Sequence, residues 1–396
     1  MLFSIALILI CGLVLGGISK KVSLPPLFGM IFTGVILGPF ALNLIHPSLM
    51  GISADLRKIA LIIILIRAGL SLDMGDLRKV GRPAILMCFV PACFEILGMV
   101  LMAPLLFNIS KVDAAILGSV VAAVSPAVIV PKMIKLIDEG YGVKEGIPQM
   151  ILAGASVDDV FVIVMFSAFT GLAKGESLSI MSFLNIPLAI LMGIIIGIFV
   201  GNGVVFLYKK IKVADTVKII ILLSFSFLLV TAEDFNSSCI PFSGLISVMT
   251  MANMLKRNDV ENASILSLDF SKLWIVAEIV LFVLVGATVN IKYAISAGFS
   301  AVILILGAIL FRMSGVFLSV LKTSLNTKER IFCCIAYTPK ATVQAAIGAI
   351  PLAMGLSCGN IVLTVAVLSI LITAPLGAFL IELLYKKLLK KVLYKI

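Results

Sequence analysis

The chain has 396 residues, of which 61% are hydrophobic and only 13% charged. A helix needs about 20 apolar residues to cross a bilayer, so a chain of this size with short connectors holds roughly a dozen crossings and leaves no room for a soluble catalytic or DNA-binding domain. The net charge of +11 does not mark a nucleic-acid partner, because the 31 basic residues are dispersed through short connectors and not gathered on one face. What remains is an all-α polytopic membrane protein, a single transmembrane unit over 1–396 whose surroundings are the lipid bilayer.

The first apolar stretch, 1–19, lacks a basic leading segment and a small-residue cleavage pattern and runs into Lys20 and Lys21, which reads as a retained span and not a removed signal. Further apolar windows follow at 24–43, 54–72, 83–107, 112–131, 147–172, 184–208, 217–232, 239–255, 273–289, 294–321, 331–351 and 358–385, making thirteen segments. Thirteen crossings place the two termini on opposite sides. Connectors on the side of the C-terminus then carry 23 Lys and Arg residues, the tail with Lys386 and Lys395 included, against 5 on the other side (Arg57, Lys58, Lys111, Lys174 and Lys292). By the positive-inside rule the C-terminus is cytoplasmic and the N-terminus outside, in the plasma membrane.

Within the second span, Pro25, Pro26, Gly29, Gly34 and Gly38 suit close helix packing. His46, the only histidine, precedes Pro47 in an outer loop and is not read as a proton relay. Five of the seven cysteines (Cys11, Cys88, Cys93, Cys333 and Cys334) lie in apolar runs without a spaced pair or accompanying histidine, which supports neither a disulfide framework nor a zinc site.

Three basic residues fall inside apolar segments: Arg67, Arg312 and Lys340. A charge in hydrocarbon costs at least about 2.5 to 3.5 kcal/mol, so an ionisable residue there signals function and demands a partner. Asp158 and Asp159 are adjacent in the middle of the sixth span; Glu95 lies midway through the fourth, Arg312 in the eleventh and Lys340 in the twelfth. Two neighbouring carboxylates at a dry site cannot both ionise cheaply, so the pair is suited to hold either a proton or a hard cation such as Na⁺, Li⁺ or K⁺. Arg67 reads as structural or snorkelling, Glu278 as solvated or gating, and Glu233 with Asp234 as an outer connector that is solvated or concentrates cations.

The fifth and twelfth spans each place a proline after a hydroxyl residue at membrane depth, Ser125-Pro126 and Thr338-Pro339. Proline removes a backbone donor and disfavours helix in the residue before it. Irregular backbone at that depth is tolerated where it lines a cavity, and paired interruptions in corresponding segments point to the binding site of an inverted-repeat transporter. If span 5 corresponds to span 12, span 4 corresponds to span 11, and these carry Glu95 and Arg312, a plausible buried ion pair. Lys340, just past its break, either neutralises the negative ends of half-helices or is counterion to the aspartates.

These residues together resemble the monovalent cation/proton antiporter superfamily over essentially the whole chain. The match covers Leu24-Pro-Pro-Leu-Phe-Gly with Leu37-Gly-Pro, Arg67-Ala-Gly-Leu-x-Leu-Asp73, Ala123-Val-Ser-Pro-Ala-Val128, Ser156-Val-Asp-Asp159, Arg312-Met-Ser-Gly-Val316 and Pro339-Lys-Ala-Thr-Val-Gln344. It looks most like the Na⁺/H⁺ branch of animal NHA-type exchangers. The resemblance implies the antiporter fold with inverted repeats and two crossing interrupted helices. It implies Asp159 as principal ion and proton carrier with Asp158 as partner, Ser125 and Thr338 as hydroxyl or carbonyl ligands, Glu95 with Arg312 as a structural or gating pair, and Lys340 as balance for the crossing half-helices. Many relatives have Thr-Asp-Pro where this chain has Val124-Ser125-Pro126, so one acid is missing. An Asp-Asp pair resembles electrogenic members and a Glu-Arg pair electroneutral ones, and both stoichiometries stay open.

The expectation is a homodimeric secondary antiporter exchanging Na⁺ or Li⁺ for H⁺, with no cofactor, in which a core at 54–172 and 273–385 moves like an elevator past a dimerisation scaffold at 1–43 and 184–255. One rival is a K⁺/H⁺ exchanger or cation-efflux channel of related fold. A bile-acid-type symporter of organic anions would suit a less charged crossing. An intramembrane aspartate enzyme would need carboxylates on two helices in a Gly-x-Gly-Asp context, as a protease, or two spaced Asp-rich motifs, as a prenyl transferase, and neither is present.

Overall fold

The computed structural model describes residues 1–22, 24–71, 81–173, 180–211, 214–235 and 242–391, and every regular element in them is helical. In chain order these are α1 (Leu2–Lys21), α2 (Pro26–Leu37), α3 (Pro47–Gly51), α4 (Ser53–Ser71), α5 (Arg82–Met87), α6 (Val90–Phe107), α7 (Lys111–Val121), α8 (Pro126–Glu139), α9 (Ile147–Ala173), α10 (Ile180–Lys210), α11 (Asp215–Phe235), α12 (Gly244–Asn258), α13 (Val260–Ala287), α14 (Ile291–Ser319), α15 (Thr327–Ala336), α16 (Thr342–Ile347), α17 (Ile350–Ala353) and α18 (Gly359–Leu388). Asp73, Lys174 and Lys395, named in the sequence analysis, lie outside the described residues.

Local sequence explains several of the boundaries. Proline occupies the first turn of α2, α3, α5, α6 and α8, where its missing N–H removes no helical bond. The Ser110 side chain accepts from the Asp113 N–H at the start of α7, and Asn326 and Glu329 form a reciprocal capping box at the start of α15. His46 is also a cap: its Nδ1 accepts from the Ser48 N–H at 3.2 Å.

Among the described residues, nine helices are by length and composition able to cross a membrane. The other expected segments fall on α2, α4, α12 and the broken run α15 to α17, which are shorter or more polar. Three expectations for connector residues change. The fifth segment does not stop at Pro131 but continues to Glu139, and its Lys132 lies in α8 with Nζ 2.8 Å from Glu382 Oε2 of α18, while Lys135 pairs with the same carboxylate. An ion-paired last turn outlasts the one backbone bond that Pro131 removes. Arg57, counted as an outer connector residue, lies in α4 and is only 3% exposed, its Nε donating to the Ser53 carbonyl at 3.1 Å. Glu233 belongs to α11, and its Oε2 accepts from the Gly244 N–H at 2.8 Å, capping α12.

Packing divides the chain into two compact units, and the division runs through α4 and α13. The first comprises Met1–Arg57, Asp73–Ala173 and Ile279–Ile396; the second comprises Lys58–Leu72 and Lys174–Glu278. Residues 1–43 therefore pack within the first unit and 184–255 within the second. In the second, Gly193, Gly197 and Gly201 recur at every fourth position of α10 and let it lie against the backbone of α12, with the Ser247 hydroxyl donating to the Gly193 carbonyl at 3.0 Å.

In the first unit the glycines of α2 serve the same purpose against α13. A Cβ on Gly34 would collide with the Val283 carbonyl, and one on Gly38 would lie 2.8 Å from the Ala287 carbonyl oxygen. Backbone meets backbone there, so a methyl group has nowhere to go. Gly34→Ala is expected to destabilise the protein by about 1 to 3 kcal/mol, as overpacking does, and to lower its thermal denaturation midpoint in detergent. Gly17→Ala, on open surface of α1, is the matched substitution that leaves the midpoint in place.

Candidate ion-binding site

The prolines at 126 and 339 do interrupt their helices. α7 ends at Val121 with Ala122 as its C-cap, and α8 begins at Pro126; α15 ends at Ala336 with Tyr337 as its C-cap, and α16 begins at Thr342. The two extended stretches touch: the Ser125 N–H donates to the Pro339 carbonyl at 2.8 Å. Each break thus supplies the partner that the other lacks. Gly377 of α18 packs against Pro339 with no side chain between, and the Thr373 hydroxyl of the same helix accepts from the Lys340 N–H at 2.8 Å.

Around this contact the structure gathers the buried ionisable residues. Glu95, Asp158, Arg312 and Lys340 are each 0% exposed and Asp159 is 5% exposed. Arg312 Nη1 lies 2.9 Å from Glu95 Oε2, and Nη2 lies 2.9 Å from Asp158 Oδ2. The same guanidinium donates from Nε to the Tyr337 carbonyl at 2.6 Å and from Nη1 to the Ala122 carbonyl. Those two carbonyls are the C-caps of α7 and α15, so one side chain neutralises the negative ends of both half-helices. Four of the five guanidinium N–H groups are thereby used. The Tyr337 ring stacks on the guanidinium, 5.0 Å from its carbon to the ring centroid, and is itself anchored by its hydroxyl donating to the Met87 carbonyl at 2.9 Å.

Lys340 does not contact the aspartates. Its Nζ lies 2.5 Å from Glu95 Oε2, and of the two roles open to it from sequence, the helix-end one falls to Arg312 instead. Asp158 Oδ2 also accepts from the Val124 N–H at 2.8 Å. In consequence the two buried cations are matched by two buried anions, Glu95 and Asp158.

Asp159 is left over. Its Oδ1 is buried and finds no hydrogen-bond partner among the described residues, and the same holds for Asp158 Oδ1 and the Ser125 hydroxyl. Buried oxygens of Glu95, Asp158, Asp159 and Ser125 are therefore without a hydrogen-bond partner among the described residues, and such groups suit a proton or an oxygen-seeking cation. Thr338 differs, because its hydroxyl donates back to the Ile335 carbonyl at 2.9 Å and keeps only its lone pairs for a ligand.

Sequence reasoning did not single out Tyr337, Thr373 or Gln344. Gln344 donates from Nε2 to the carbonyls of Val121 at 3.0 Å and Ala123 at 2.8 Å. The available signal was a lone amide at membrane depth one turn past a break, where a polar group needs a partner.

Removing the guanidinium tests how far the site depends on it. Arg312→Gln leaves Asp158 without a cation, Glu95 with Lys340 alone and two helix ends uncapped, and is expected to cost about 3 to 5 kcal/mol, the range for breaking a buried ion pair from one side. Arg312→Lys restores the charge but not the planar fork and recovers only part of that loss. Thermal denaturation of the purified variants in one detergent reads both effects.

Comparison with known proteins adds three findings. The family model described as "Sodium/hydrogen exchanger, transmembrane" matches residues 5–387. Sodium/hydrogen exchanger 9B2 of Mus musculus is 34% identical over 98% of this chain and 74% of its own length, the Homo sapiens form is 34% identical over 99% and 76%, and sodium/hydrogen exchanger 9B1 of Homo sapiens is 32% identical over 93% and 73%. The solved structure of the sodium proton antiporter MjNhaP1 from Methanocaldococcus jannaschii at pH 8 superposes with a TM-score of 0.85 at 20% identity, covering 97% of both chains, a likeness of fold.

Proposed function

This chain belongs to the sodium/hydrogen exchanger family, multi-pass membrane transporters that exchange a monovalent cation for a proton, and from that premise we propose that it exchanges Na⁺ or Li⁺ for H⁺ at Asp159, with Asp158 and Ser125 completing the ligand set. The observation that carries this reading is the charge inventory. Arg312 and Lys340 are committed to Glu95 and Asp158, which leaves Asp159 buried without a counterion. A bare carboxylate at that depth is costly. A proton or an alkali cation each relieves the cost, and only one of them fits at a time.

That exclusion couples the two fluxes. The loaded carrier crosses with its acid neutralised either way, while the empty carrier would have to move a naked charge. The displacement itself is an elevator-type movement of the bundle that holds the crossing, within a plasma-membrane homodimer whose N-terminus is outside and C-terminus cytoplasmic. Differential stability of loaded and empty states drives the alternation, and no further source of energy is needed beyond the two gradients.

Because Asp158 is held by a guanidinium and a backbone N–H, Asp159 alone changes its occupant. The exchange is then one cation for one proton and electroneutral. In vesicles with an imposed pH gradient, Asp159→Asn is expected to abolish Na⁺-driven proton flux. The parent rate should be the same at any clamped voltage. Lowering the pH loads the competing proton, so the apparent KM for Na⁺ rises as pH falls, approaching about tenfold per pH unit once the protonated carrier predominates. An Asp159→Asn variant that exchanges as fast as the parent removes the carrier assignment, and a voltage-dependent rate removes the stoichiometry.

A further inference from the structure

We propose that Gln344 determines which alkali cation the crossing accepts, by holding two backbone carbonyls away from it. This inference rests on the exchange reading above. The carbonyls at the end of a helix have no intrahelical donor, so those of Val121, of the C-cap Ala122 and of Ala123 just beyond it find no donor within α7 itself. Arg312 takes the middle one. Gln344, 1% exposed on α16, takes the other two with its single amide nitrogen, at 3.0 and 2.8 Å.

Three consecutive oxygens are thus withdrawn by side chains from the second repeat. Among the described residues, the buried oxygens left unpaired at the crossing include the Ser125 and Thr342 hydroxyls and one oxygen each of Glu95, Asp158 and Asp159. Such a set is small and rich in carboxylate. Strong-field oxygens in small number favour compact Na⁺ and Li⁺, whereas K⁺ is well served by a larger shell of neutral carbonyl oxygens. Releasing Val121 and Ala123 would add two such neutral ligands to the site. The clamp therefore acts on selectivity without touching the acid that carries the ion, and Gln344 is a positioning residue. Its own Oε1, on the far side of the amide from the two N–H groups, is buried and has no partner among the described residues, so the residue is anchored by donation alone.

Gln344→Leu keeps the bulk and removes the donors. Gln344→Asn keeps the amide, but one methylene shorter it cannot span both carbonyls, and it serves if the leucine variant does not fold. Two measurements are made on each full-length protein: KM and kcat for Li⁺, Na⁺ and K⁺ in proteoliposomes, and the thermal stabilisation given by each chloride salt in detergent. The expected result is a rise in the K⁺ to Na⁺ preference of at least about fivefold in both measurements. The change should reside in the KM values, the K⁺ value falling relative to the Na⁺ value. A parallel loss of affinity for all three cations, with their ratios intact, would overturn the proposal and reduce Gln344 to a packing role. Failure of the exchange reading looks different: the parent itself shows no cation-coupled proton flux, or Asp159→Asn retains it, while the salt-dependent stabilisation still reports whether Gln344 sorts the ions.

Discussion

The guanidinium of Arg312 meets four separate needs at once. Two helices end inside the bundle with their C-cap residues fully buried, and two fully buried acids sit beside those ends. A lysine could satisfy one of these groups as a point charge, but a planar fork reaches Glu95, Asp158 and the C-caps of α7 and α15 together. A buried polar network is stabilising only when its members are satisfied. The broken helices, the stacked Tyr337 and the hydrogen-bonded position of Asp158 all presuppose that this one side chain is in place.

From that constraint the chemistry narrows by subtraction. Lys340 shares Glu95 Oε2 with Arg312, the prolines at 126 and 339 open the backbone, and the Ser125 N–H joins the two openings. Every strong partner in the neighbourhood is committed before Asp159 is reached. On the proposed reading, Asp159 is the one group whose occupancy is undecided.

Much of this was legible in the residues. Apolar runs of twenty gave the spanning helices, since the bilayer fixes their length. Proline after Ser125 and Thr338 marked both interruptions, because a missing donor leaves few alternatives, and the equal spacing of spans 4 and 5 from 11 and 12 brought Glu95 and Arg312 to the same place. The assignment of partners was not legible. Nothing in a linear pattern says that Arg312 reaches both helix ends and Asp158 while Lys340 turns to Glu95, because that choice depends on side-chain length and direction across four helices. Gln344 was missed for the same reason: its partners lie 221 and 223 residues away. Helix ends such as that of α8 also escaped, where an ion pair with Glu382 outweighs the punctuation of a proline and a lysine.

The order in which the partners are made has its own significance. Asp158 precedes Arg312 by 154 residues, and Glu95 precedes Lys340 by 245. At about 5 to 20 residues per second of translation, the first acid waits roughly 8 to 30 seconds for its guanidinium and the second waits longer. Through that interval the nascent chain presents carboxyl groups to lipid or to the insertion machinery with no complement yet synthesised. They have to enter protonated, or be sheltered, until the last third of the polypeptide arrives. Biogenesis of this transporter is therefore finished at its end, and a ribosome that stops short of residue 312 leaves behind a bundle whose centre is unpaired.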